Sequence, residues 1–141
     1  MGKVDIGNEG FISWAPVVIW LSVLWFFSSS LFTSVNTGSA IAHILRWVFD
    51  GHLPHATFRL INIVVRKTGH FCNYAVLFLL MIRGPMRKRP YAALMLCVMA
   101  AAVDETHQVF VPGRTATPYD VALDSTGALF ARFLYLAVAG S

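Results

Sequence analysis

Charge is scarce in this chain. Lys, Arg, Asp and Glu make up 13% of its 141 residues, and only seven are acidic. A water-soluble domain carries roughly 25% charged residues, so an ordinary solvated globular surface is excluded as the simplest reading. Cysteine is scarce as well. Cys72 and Cys97 both lie inside apolar stretches, without metal-ligand spacing or the density of a disulfide scaffold, and both are expected to be buried as small hydrophobes. The opening residues lack the basic start and small-residue cleavage site of a signal peptide, so that segment is expected to stay. No repeat, low-complexity stretch or linker interrupts the chain, which reads as one domain over residues 1–141.

What is abundant is apolar. Hydrophobic residues reach 57% and the mean hydropathy is +0.63, the signature of an integral membrane protein. The net charge of +4 and the pI near 9.4 do not point to nucleic acid. The basic residues cluster beside apolar segments, where anionic lipid and topology account for them.

Residues 14–32 carry no charge, and a helix of that length spans about 28 Å, close to the hydrocarbon thickness. Trp14 and Trp20 suit a membrane interface, and Ser28 to Ser30 either bond helix to helix or are tolerated near the exit. Residues 40–49 place Ile41, Ile44, Leu45 and Val48 on one helical face and His43, Arg46 and Asp50 on others, which predicts a short amphipathic helix in the interface. The spacing of His43, His52 and His55 matches no metal-ligand motif.

A second span over residues 68–82 would be too short to cross. Starting it near Ile61 gives a full crossing of about 22 residues and draws Arg66, Lys67 and His70 below the surface. Lys67, His70 and Tyr74 then share a face, with Asn73 beside them; Lys67 either snorkels to the headgroups or lines that face. Arg83, Arg87, Lys88 and Arg89 form the densest positive cluster, which places this loop in the cytoplasm. A third span over residues 91–110 runs outward, Pro112-Gly113 makes a turn, and Thr117-Pro118-Tyr119-Asp120 starts a fourth span over residues 118–139. The expected fold is an all-α membrane protein with four transmembrane helices, a short interfacial helix between spans 1 and 2, and both termini cytoplasmic.

Asp104 and Glu105 end a run, residues 91–103, that contains no charge. Ionisable groups near hydrocarbon are expensive and face a cavity, a partner or a pathway. Lys67 and His70 on span two, Asp104, Glu105 and Gln108 on span three, Arg114 in the turn, and Asp120 and Asp124 on span four all fall at one depth. Short loops make these spans neighbours. Gly127, Ala128 and Ala131 continue the Asp124 face as a small-residue stripe that permits close helix approach. The expectation is a polar pocket opening to the outer leaflet. Asp120 has a second reading, as a carboxylate stabilising the free amides of a helix start.

The pattern Lys67-x-x-His70-Phe71-x-x-Tyr74, Asp104-Glu105-x-x-Gln108-x-Phe110-x-Pro112-Gly113-Arg114, Asp120-x-x-x-Asp124-x-x-Gly127 resembles the VanZ-like family of small bacterial membrane proteins. The match covers residues 67–127, and its middle motif is the specific part. The resemblance implies a protein of the bacterial cytoplasmic membrane related to the cell envelope, in a family named for a member associated with resistance to the glycopeptide teicoplanin; the loop charges add the expectation of a multi-pass protein whose working face is extracytoplasmic. Two positions depart: Asn73 stands where the family commonly has Glu, and Asp124 where it commonly has Asn, which reads either as a carboxylate exchanged between helices or as altered chemistry at these two positions.

Three functions fit. In the first, an enzyme acts on a lipid-linked or lipopeptide envelope substrate by hydrolysis or group transfer. Asp104 or Glu105 is the base and His70 its acid partner or orienter; Lys67 and Arg114 bind an anionic headgroup; Gln108, Tyr74, Asp120 and Asp124 complete the binding surface. The second is a non-enzymatic protein that binds or masks a lipid or glycopeptide with the same cations. The third is a buried ion-pair network that only fixes helix register. No cofactor is required, although Asp104, Asp120 and Asp124 offer hard oxygen ligands suited to magnesium or calcium.

Overall fold

The computed structural model describes residues 6–29, 34–48, 54–112 and 116–139. These residues form α1 (Ile6–Ser28), α2 (Ser34–Val48), α3 (His55–Arg83), α4 (Pro90–Val109) and α5 (Pro118–Ala139), and among them there is no strand. The all-α expectation holds. Helices start earlier than hydropathy suggests for α1, α2 and α3, because polar residues continue a helix as readily as apolar ones once it has nucleated. α4 and α5 begin on Pro90 and Pro118, where a residue without an N–H costs no hydrogen bond. After α3, the Gly84 amide bonds to the Leu80 carbonyl at 3.2 Å and the Met86 amide to that of Met81 at 2.8 Å, so the chain reverses through residues 84–88.

α5 packs most broadly on α3 and next on α4; α1 leans on α3 and α4, and among the described residues α2 packs on α3. Size complementarity explains the central packing. α3 supplies the large buried side chains Tyr74, Leu77, Phe78, Met81 and Ile82, while α4 and α5 meet them with Ala93, Cys97, Ala101, Ala128 and Ala131. At the tightest point a Cβ on Gly127 would stand 2.2 Å from the Phe71 carbonyl oxygen. Only glycine lets α5 run backbone to backbone against α3 there. α1 is tied to α3 by the Trp20 indole, which donates to the Asn73 carbonyl at 3.0 Å.

The exterior is apolar: Met95, Met99 and Val103 on α4 and Phe130, Phe133 and Leu134 on α5 are all exposed. The interior near one end is polar, with Asp104, Glu105, Gln108 and Asp124 buried. Among the described residues one helix, Pro118–Val138, is long and apolar enough to cross a membrane, and Ile12–Ser28 is apolar but shorter. Arg59, Arg66, Lys67 and Arg83 in α3 and the polar end of α4 dilute the apolar character of those helices. One expectation is corrected: Cys97 is buried but Cys72 is exposed. Cys72 lies on the outward side of α3, two residues before the buried Tyr74, and an apolar sequence neighbourhood does not distinguish the inward side of a helix from the outward one when both are apolar.

Candidate functional site

Helical periodicity on three helices assembles the site. On α3, residues 63, 66, 67 and 70 recur at three- and four-residue steps and face the same way. On α4, Glu105 and Gln108 do so, and on α5, Asp120 and Asp124. The close α3–α5 approach at Gly127 brings these faces together at the end where α4 finishes and α5 begins. Between them lies an open cavity of about 350 Å³, lined by Arg66, Lys67, His70, Glu105, Asp120 and Asp124 among others.

Its rim and its floor differ. At the rim, the Lys67 ammonium donates to Asp120 Oδ1 at 2.5 Å, and the Thr117 hydroxyl donates to Asp120 Oδ2 at 2.8 Å. The Lys67 side chain is 49% exposed and that of Asp120 21%, so this pair works in a well-solvated setting and contributes about 0–1 kcal/mol. At the floor, His70 Nδ1 lies 3.4 Å from Asp124 Oδ2, and the Asp124 side chain is fully buried. Gln108 donates its amide to Asp104 Oδ2 at 3.0 Å, a bond that the four-residue spacing on one helix makes available. A ligand nitrogen of His70 and a carboxylate oxygen each of Asp104, Glu105 and Asp124 lie within 4.8 Å of one another. Two oxygens of this group, Glu105 Oε2 and Asp124 Oδ1, are buried without a hydrogen-bond partner.

The sequence-derived candidates sort by position. Lys67, His70, Glu105, Gln108, Asp120 and Asp124 line the cavity. Asp104 is buried just behind it, against Gln108. Tyr74 is 1% exposed and sits one turn deeper than His70, in the packed core rather than on the cavity wall. Arg114 lies outside the described residues, as do Asp50, His52 and Gly113. Asp120, which the sequence offers beside Asp104 and Asp124 as a hard oxygen ligand, is not in the four-residue cluster and is engaged by Lys67 instead, because it stands one turn nearer the start of α5.

Two cavity contacts were not assigned to the site from the sequence, and one contact between α1 and α4 was not foreseen. Arg66 lines the cavity; its four-residue step to His70 was the available signal. Thr117 acts on the Asp120 side chain as well as preceding the helix. His107 stacks on Trp25 with ring centroids 4.2 Å apart and lies 3.4 Å from the Ser28 hydroxyl. That contact spans 79 positions, so no local pattern announces it.

A family model described as VanZ/LLP1 matches residues 13–139, nearly the whole chain and well beyond the stretch that carries the recognisable motif. No curated protein matches and no solved structure matches.

Proposed function

The chain belongs to the VanZ/LLP1 family, and from that premise we propose that it is a multi-pass protein of the bacterial cytoplasmic membrane whose cavity works on an anionic, lipid-linked envelope substrate at the extracytoplasmic face. An apolar exterior around a buried acidic floor supports the membrane reading: in water this arrangement would be inverted. α1, α3, α4 and α5 are the spans and α2 lies along the interface. The cations of residues 83–89 mark the cytoplasmic turn, and the cavity lies at the opposite end of α3 and α4.

The observation that carries an enzymatic reading is the juxtaposition of His70 with Glu105 and Asp124, cavity-lining residues whose carboxylates each hold a buried oxygen without a hydrogen-bond partner. Structural networks use their acceptors, and titratable groups left incompletely paired beside a cavity mark a functional site. Lys67 and Arg66 hold the anionic headgroup by charge-assisted hydrogen bonds. Glu105 takes a proton from the attacking water or hydroxyl, and His70, oriented by Asp124, delivers a proton to the leaving oxygen. A second reading, a protein that binds or masks a lipid or glycopeptide without turnover, is favoured by the apolar part of the wall, Ile63 and Leu123, which suits an acyl chain.

Reconstituted protein incubated with envelope lipids extracted from a teicoplanin-susceptible bacterium separates the two, with products and bound lipids followed by mass spectrometry. The enzyme yields a new product that disappears with Glu105→Gln while lipid stays bound. Lipid retained by the native protein with nothing converted establishes the binder instead.

A further inference from the structure

We propose that His70, Asp104, Glu105 and Asp124 form a binding site for one divalent first-row transition metal ion, of the manganese or zinc class. Four donors from three different helices converge within 4.8 Å. An ion with bonds of about 2.1 Å holds its donors roughly 3–4.2 Å apart, so the set has to draw together only slightly to close around one. Acidic groups gather for many reasons, but here a second observation points to a ligand: Glu105 Oε2 and Asp124 Oδ1 are buried with no hydrogen-bond partner, Glu105 being 5% exposed and Asp124 not exposed at all. Buried acceptors are nearly always satisfied, and an exception calls for an ion or a proton.

The local charge is consistent with that role. The wall carries two cations, Arg66 and Lys67, the second paired with Asp120 at the rim, while at the floor Asp124 is met by His70 and Asp104 by the Gln108 amide. The Gln108 bond to Asp104 Oδ2 is the kind of outer contact that fixes a ligating carboxylate. One imidazole among three carboxylates selects the class of ion: the nitrogen donor suits zinc or iron, the carboxylates suit manganese, and the mixed set departs from the all-oxygen, water-rich surroundings of calcium and magnesium. With an ion bound, Glu105 and His70 would serve as its ligands in place of the acid–base roles they have in the metal-free site, and the ion would itself polarise a phosphoryl or carbonyl oxygen in the cavity.

This site rests on the reading of the cavity as the working part of the protein, but its test reads metal alone, so it stands or falls separately from any substrate assay. Full-length protein in detergent, stripped with chelator and dialysed, is titrated with Mn²⁺ and followed by electron paramagnetic resonance. One ion per chain is expected, displaced by Zn²⁺ at lower concentration, with a rise in the melting temperature of the native protein. Glu105→Gln and Asp124→Asn should each weaken binding by at least about tenfold. His70→Gln, at a half-buried position that tolerates substitution better, gives the same readout if either carboxylate variant fails to fold. Absence of saturable binding by the native protein overturns the proposal, as does binding that survives all three substitutions. Displacement of Mn²⁺ by Mg²⁺ as readily as by Zn²⁺ overturns the transition-metal class.

Discussion

Gly127 and Gly69 look alike in the sequence, each a glycine in an apolar helix, and the structure assigns them opposite roles. A Cβ at Gly127 would strike the Phe71 carbonyl at 2.2 Å, whereas one at Gly69 would meet nothing within 4 Å. Gly127→Ala should therefore force α5 away from α3 and cost roughly 1–3 kcal/mol in stability, in the range of overpacked cores. Gly69→Ala should leave stability unchanged or raise it by about 0.5–1 kcal/mol, since alanine restricts the unfolded chain. Thermal melts of the two variants in detergent check both, and a stable Gly127→Ala protein would contradict the described crossing. Lys67 and Asp120 make a second residue-scale case. Their separation is short, yet the lysine is half exposed, so a double-mutant cycle between Lys67→Met and Asp120→Asn should return a coupling of only about 0.2–1 kcal/mol that falls with added salt. A contact this weak leaves the ammonium free to exchange its carboxylate for an anionic headgroup.

At the scale of elements, the site depends on helix pairs to different degrees. α3, α4 and α5 carry every residue of the floor, while α1 contributes anchoring: Val17 and Leu24 in the core, and the Trp20 indole bond to Asn73. Trp20→Phe keeps most of the ring area and removes the donor, so it should cost about 0.5–1.5 kcal/mol and leave unaltered whatever binding of Mn²⁺ the native protein shows. A loss of binding in that variant, at a temperature where it is still folded, would show that α1 shapes the site directly. The element pattern itself was largely readable in advance. Charge-free stretches, the helix-start pattern at Thr117-Pro118 and the basic loop from Arg83 placed α4 and α5 closely, α4 beginning one residue before the expected Tyr91, and put α3 near its observed end. The starts of α1 to α3 were not readable, because hydropathy marks where a helix is greasy and carries no information on where its hydrogen bonding begins.

For the whole molecule, the distribution of polarity makes a prediction about orientation. Lys88 sits in the positive turn and Phe110, 78% exposed, at the opposite end of α4. In a Cys72→Ser/Cys97→Ala background, Phe110→Cys should react with a membrane-impermeant maleimide on intact cells, and Lys88→Cys only after the membrane is opened. The reverse pattern would place the cavity at the cytoplasmic face and remove an extracytoplasmic substrate from consideration. The same global arrangement explains why the membership of the site was partly legible. Carboxylates at the end of an uncharged run are costly enough to be conspicuous in one dimension, so Asp104, Glu105 and Asp124 could be singled out. Tyr74 shares the helical face of Lys67 and His70 in sequence yet lies in the core, Arg66 was drawn below the surface without being assigned to the cavity it lines, and Thr117 carries no such anomaly to flag it.

The sequence by itself determined that this chain is helical, apolar outside, and burdened with ionisable groups clustered at one level, because composition and period act locally and along the chain. Only the tertiary structure decided which of those groups meet. The contact of Gly127 with Phe71 sets the distance between two helices, and that distance puts His70 against Asp124 while assigning Asp120 to Lys67, a partition one helical turn wide that no spacing along the chain could have specified.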